Sequence, residues 1–182
     1  MVKFLNTFLN SNVVKIKSVV TFIFLMIFAL ASLNANAQTS DKPVVAPIAP
    51  AWQLKTQSGE DISLAQFQGQ AVILHFWATW CPYCKKLQPK LVELEKQYKD
   101  KGVKIVAISF NEDEGALPQD ELASRGYNFI TAVNGDAVAM RYGVKGTPTT
   151  FFINKHNQVI FKSTSSDITD PRLELATKEI AK

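Results

Sequence analysis

The sequence predicts an α/β sandwich, a mixed central sheet with helices on both faces, and three observations carry that expectation. Two runs of strand-forming apolar residues, AVILHFW at residues 71–77 and GVKIVAISF at residues 102–110, are continuous enough to be covered on both sides. Helical spacing follows the first run in residues 84–98, where Leu87, Leu91, Leu94 and Tyr98 recur among lysines and glutamates. Near the end, TPTTFFIN and QVIFKS read as two strands joined by a tight turn at Lys155, His156 and Asn157. Strands alternating with helices, then a hairpin and a helix, make a layered α/β domain.

Taken in order, residues 1–37 read as a signal peptide. A leader carrying Lys3, Lys15 and Lys17 precedes an apolar run of 15 residues, 19–33, and the small-residue triplet Ala35, Asn36, Ala37. A membrane-spanning helix needs about 20 apolar residues, so export and cleavage after Ala37 is the first reading and an uncleaved anchor the second. The expected location is exported and periplasmic. Residues 38–50, with Pro43, Pro47 and Pro50, read as a flexible tether. A single domain fills residues 51–182. It opens with AWQLKTQSGEDISL, a hairpin around Ser58 and Gly59. PQDELASRG gives a helix stopping near Gly126, GDAVAMRYG a short helix ending at Gly143, and PRLELATKEIAK a closing helix with Pro171 in its first turn.

Composition excludes some functions. Without the leader the formal charge falls from +4 to +1, 17 basic against 16 acidic residues, so the basic pI gives no argument for nucleic acid. The remaining 145 residues are enough for a core that buries about 68–70% of the unfolded surface, and no disulfide staple is needed. A bond across two intervening residues would in any case close almost no loop.

The two cysteines, Cys81 and Cys84, lie in HFWATWCPYCKKLQP, where the first buried strand gives way to its helix. A helix amino terminus offers free N–H groups and partial positive charge, so a thiol at Cys81 can ionise well below the ordinary range near 8.5. An exposed Cys81 would attack a partner disulfide, and Cys84, one turn on, can attack the mixed disulfide formed there. This is a nucleophile and a resolving thiol for disulfide exchange, with the pair itself as redox centre and no other cofactor. Lys85 and Lys86 read as solvated.

FWATWCPYC and GVKGTPTTFFIN resemble the thioredoxin superfamily, in its exported branch that includes TlpA, ResA and the cytochrome c maturation reductants. The resemblance covers nearly all of the chain after the leader. It implies a thioredoxin-like fold, protein thiols and disulfides as substrates, a membrane electron donor and a monomer. It also implies that Thr147 and a cis Pro148 border the cysteines, with Trp80, Pro82 and Tyr83 completing the groove for an incoming polypeptide. Pro89 matches the proline inside the family's first helix. In one departure, the buried carboxylate that thioredoxins carry six residues before the first cysteine is replaced by His75. An imidazole there could relay a proton to Cys84, or be a neutral core residue. The Pro82-Tyr83 pair also occurs in glutaredoxins and does not fix the direction of electron flow, across a range of about −270 to −120 mV.

Reduction of partner disulfides is the expected activity, with a disulfide oxidase or isomerase as the alternative. A second alternative is a Cu(I)-binding module using the cysteine pair. A four-ligand zinc site would need Cys81, Cys84, His75 and His156 together. A peroxide reductase would place a threonine or serine at Ala78. The acidic stretch at residues 111–114 reads as a solvated loop, and His156 as a solvated turn residue.

Overall fold

The computed structural model describes residues 46–182. The expected signal peptide and most of the expected tether lie outside those residues.

Seven strands form one sheet: β1 (Gln53–Thr56), β2 (Asp61–Ser63), β3 (Ala71–Trp77), β4 (Val103–Ser109), β5 (Ile130–Val133), β6 (Thr149–Ile153) and β7 (Val159–Ser163). Their order is β2-β1-β5-β4-β3-β6-β7. The central trio β3, β4 and β5 is parallel, and antiparallel pairs extend it on both sides. Four helices, α1 (Pro82–Gln97), α2 (Pro118–Ser124), α3 (Asp136–Arg141) and α4 (Pro171–Ile180), complete the sandwich.

The strand β3 is buried at all seven positions, as its unbroken apolar run requires of a central strand. Alternate residues feed two cores. Ile73 and Trp77 meet Leu87, Leu91 and Leu94 of α1 and Leu173 and Ile180 of α4 on one face. Val72, Leu74 and Phe76 meet Trp52, Phe151 and Val138 of α3 on the other. The helix α1 continues through Pro89, whose ring is exposed. Asp170 caps α4 by accepting from Arg172 N at 2.9 Å, with Pro171 in the first turn, where a missing N–H costs nothing.

Two expectations need correction. Residues 47–49, expected to belong to a flexible tether, pair with the turn before β7 instead. Ile48 pairs with Gln158, Ala49 N donates to Asn157 O and Val159 N donates to Pro47 O, both at 2.8 Å. The prolines remove donors but keep their carbonyls, so an extended Pro-rich segment can still cover the edge beside β7. Strand β5 has no counterpart in the sequence reading. Four residues interrupted by a threonine carry too little periodicity, and their pairing to β4 on one side and β1 on the other makes the strand.

Register decides what meets at each end of the sheet. Trp77 lies opposite Ser109, and Phe76 opposite Thr149, so the turns after β3 and β4 and the approach to β6 share one end. The β6–β7 turn with His156 is at the other, beyond the Val72–Ile153 pair.

Candidate active site

Cys81 is the N-cap of α1, in extended backbone conformation, and Pro82 occupies the first helical position. Cys81 N donates to Ala78 O at 3.1 Å, closing the turn from β3, and Lys85 N donates to Cys81 O at 3.2 Å, starting the helix. The two cysteines form a disulfide with Cα atoms 5.4 Å apart. Cys84 N also donates to Cys81 Sγ at 3.1 Å. A backbone donor aimed at that sulfur, at a helix amino terminus, is the arrangement that stabilises a thiolate once the bond is reduced.

Cys81 is not the exposed sulfur that the sequence suggests. It is 1% exposed and Cys84 is 0%, because the Cys81 sulfur turns inward to its partner. The surface over the pair belongs to Trp80 at 46%, Tyr83 at 62% and the exposed Pro82.

Thr147 and Pro148 are joined by a cis peptide immediately before β6. The Phe76–Thr149 pairing places them at the end of β3 that leads into the cysteine turn. Pro148 is buried and Thr147 half-buried, and Thr149 Oγ1 donates to Gly146 O at 2.7 Å, bracing the bend. A shallow cavity of about 360 Å³ opens beside this bend, lined by Gly146, Thr147, Pro148 and Lys162.

His75 lies opposite Thr150 in the β3–β6 register, on the face shared by Trp77 and both cysteines. It is fully buried, and Nδ1 shares a hydrogen bond with Thr150 Oγ1 at 3.0 Å. Nε2 has no partner. Loss of hydration pushes its pKa down to about 3, so the imidazole is neutral.

The loop after β4 is more than a solvated stretch. The Glu112 carboxylate accepts from Thr79 N through both oxygens at 3.0 Å and from Thr79 Oγ1 at 2.7 Å. Asn111 O accepts from Trp80 Nε1 at 2.8 Å. Sequence reasoning missed this contact because its partners are 33 residues apart. The available signal was an acid just past the end of a buried strand parallel to the one that carries the cysteines. Lys85 is not free either: its Nζ lies 2.7 Å from Glu121 Oε1.

His156 is exposed in its turn, at the end of the sheet away from the cysteines, so the four zinc donors are not brought together. Among the described residues no group of three or more His, Cys, Asp or Glu could hold a metal ion. Among them, too, no helix is long and apolar enough to cross a membrane.

The Redoxin family profile matches residues 43–178. Thiol-disulfide oxidoreductase ResA of Halalkalibacterium halodurans is 36% identical over 109 residues, 59% of this chain and 61% of that protein. ResA of Bacillus thuringiensis subsp. konkukian is 33% identical over 141 residues, 77% of this chain and 80% of that protein. A thiol:disulfide interchange protein of the thioredoxin family from Chlorobium tepidum TLS superposes with a TM-score of 0.62 at 25% identity, over 75% of this chain and 97% of that one.

Proposed function

The chain belongs to the Redoxin family and is a thioredoxin-like thiol-disulfide oxidoreductase similar to ResA, and from that premise we propose that it is exported and works as a reductant of partner disulfides. Cys81 is the nucleophile and Cys84 the resolving thiol. The single observation that carries this assignment is the placement of Cys81 at the N-cap of α1, with Cys84 N donating to its sulfur.

In the reduced protein the Cys81 thiolate attacks one sulfur of a partner disulfide. A mixed disulfide forms, and the partner's second sulfur leaves as a thiolate that takes a proton. The Cys84 thiol gives up its proton and attacks Cys81 Sγ, closing the Cys81–Cys84 bond and releasing the partner's first sulfur. Two electrons pass to the partner, and an external dithiol of a membrane donor restores the pair. The Cys84 proton passes to the departing partner thiolate; His75, on the same face as the cysteines and held neutral by burial, is a core residue beside the pair.

Trp80, Pro82 and Tyr83 supply the exposed contact for the incoming polypeptide, and Thr147 with Pro148 forms the opposite wall. Because Cys81 has almost no surface in the disulfide state, a partner thiol must press into the rim these residues make. The substrate class is a protein disulfide, with a role like cytochrome c maturation as the preferred setting and a monomer as the working unit. Cu(I) delivery has no support beyond the two sulfurs, since His75 is committed to Thr150 on one nitrogen and buried on the other.

The test is Cys84→Ser. The variant should stall at the mixed disulfide on Cys81, give partners that reducing agent releases, and lose turnover by at least a thousandfold. Recovery of the same partners with both cysteines replaced by serine would overturn the covalent mechanism. Equilibration with glutathione reads the direction: a potential near the oxidising end of the fold's range would make the protein an oxidase or isomerase instead.

A further inference from the structure

Three residues separate the end of β3 from Cys81, and two of them, Thr79 and Trp80, are held from one corner of the loop after β4. Thr79 gives its N–H and its hydroxyl to the Glu112 carboxylate. Trp80 gives its indole N–H to Asn111 O. The corner itself is fixed. Asn111 has φ 51°, a left-handed conformation that asparagine tolerates better than most residues, and its N–H donates to Asp136 Oδ1 at 3.0 Å.

A neutral acceptor would suffice to hold Thr79. A carboxylate also brings a full negative charge, half-buried, to the turn that ends at the nucleophile. The disulfide state carries no charge for it to act on, whereas the Cys81 thiolate does. Repulsion therefore raises the free energy of the reduced, ionised pair relative to the disulfide and strengthens the pair as an electron donor.

Other charges near this end act less directly. Lys85 is paired with Glu121, Arg125 is bound to Gln88 and the Lys85 carbonyl, and Lys86 is exposed. Asp136 is spent on Asn111 N, Asp113 and Glu114 are exposed, and buried His75 is neutral. Glu112 is the charged side chain that hydrogen-bonds the cysteine turn itself.

We infer that Glu112 is a positioning residue with a second effect: it fixes the turn before Cys81 and, through its charge, opposes the Cys81 thiolate and makes the pair more reducing. The inference rests on the assignment of Cys81 as nucleophile in the proposed function.

The experiment equilibrates the full chain with reduced and oxidised glutathione, in which one glutathione disulfide takes two electrons from the cysteine pair and yields two glutathione thiols. It also follows alkylation of Cys81 against pH. Glu112→Gln keeps size and one acceptor but removes the charge. It should raise the thiolate fraction below the thiol pKa and shift the equilibrium toward the reduced protein by about threefold to tenfold, tenfold being about 30 mV. Glu112→Asp should restore most of the wild-type value. Thr79→Val removes a hydrogen bond and leaves the charge, and should shift the equilibrium by less than about twofold.

In the unmodified protein, raising salt from about 0.01 to about 1 M should move both readouts in the same direction as Glu112→Gln, because a half-exposed charge is screened. Equal shifts in Glu112→Gln and Thr79→Val would reduce Glu112 to a structural tie. No shift in Glu112→Gln and none with salt would remove the inference altogether. Failure of the underlying assignment looks different: wild-type Cys81 would alkylate like an ordinary thiol, and Cys84→Ser would trap nothing.

Discussion

Two polar contacts support the cysteine pair, one inside the sheet and one at its rim, and they treat ionisable groups in opposite ways. His75 and Thr150 face each other across β3 and β6, both fully buried, and His75 Nε2 finds no partner among the described residues. Burial strips that imidazole of its charge. Thr79 and Glu112 meet at the surface, where both carboxylate oxygens find donors and the side chain keeps partial contact with solvent. Depth thus decides which group is held neutral and which stands as a fixed charge. The buried imidazole adds no charge to the cysteine side of the sheet, which leaves the rim carboxylate as the group that brings one to the turn before Cys81.

The strongest blow to the rim should come from a residue that makes no side-chain contact. Gly135 N donates to Ser109 O at 2.9 Å, and a Cβ added there would lie 2.1 Å from Ile108 Cγ2 and 2.8 Å from Ser109 O. Neither neighbour can move far: Ile108 is in the core, and Ser109 ends a central strand. Gly135→Ala should cost about 3 kcal/mol in a urea titration, the upper range for overpacking. It should also disturb the rim, since the next residue is Asp136, which anchors Asn111. A loss below about 0.5 kcal/mol would show that the loop relaxes and that the rim is softer than its contacts imply.

The interior contact is better tested by acid. The His75 pKa falls from 6.5 when unfolded to about 3 when folded. Above pH 6.5 both states are neutral and the group contributes no pH dependence. Below it the unfolded chain binds a proton that the native protein refuses, so stability falls with pH until about 3. The loss between pH 7 and pH 5 should be about 2 kcal/mol, read from denaturation midpoints. Asp167 and Asp170, whose carboxyls are held below their usual value chiefly by hydrogen bonds from Thr169 and Arg172, lose their contribution only at lower pH. His75→Gln should flatten the pH 5–7 window, and an unchanged slope would move the proton uptake elsewhere.

How legible these regions are in the sequence follows from where their partners sit. The run of residues 71–77 and the leucines of α1 announce themselves by periodicity, because burial on two faces or one imposes a local pattern. The cysteine pair is legible for a similar reason, being four consecutive residues at a strand-to-helix junction. His75 stands out as a polar residue in an apolar strand, but Thr150, 75 residues away, is supplied only by register. Glu112 is harder still. An acidic loop normally means solvent, and nothing local distinguishes one that folds back onto Thr79. The accessibility of Cys81 is misjudged for a related reason, since sequence shows which residue starts the helix but not which way its sulfur turns.

The smallest effect expected is at Trp80, and it separates the two things that residue does. Its indole N–H ties the cysteine turn to Asn111 O, while nearly half of its surface faces solvent, where a partner would lie. Trp80→Phe removes the hydrogen bond and keeps an aromatic face. Because Asn111 is exposed, its carbonyl can be rehydrated, so the stability cost should be about 0.5–1 kcal/mol. The rate of mixed-disulfide formation with an unfolded protein disulfide should then stay within about threefold of wild type, whereas Trp80→Ala should slow it by about tenfold, through lost apolar contact. If Phe slows the reaction as much as Ala, the rim contact and not the aromatic surface governs how a partner reaches Cys81. Trp80 would then belong with Glu112 as a support of the turn.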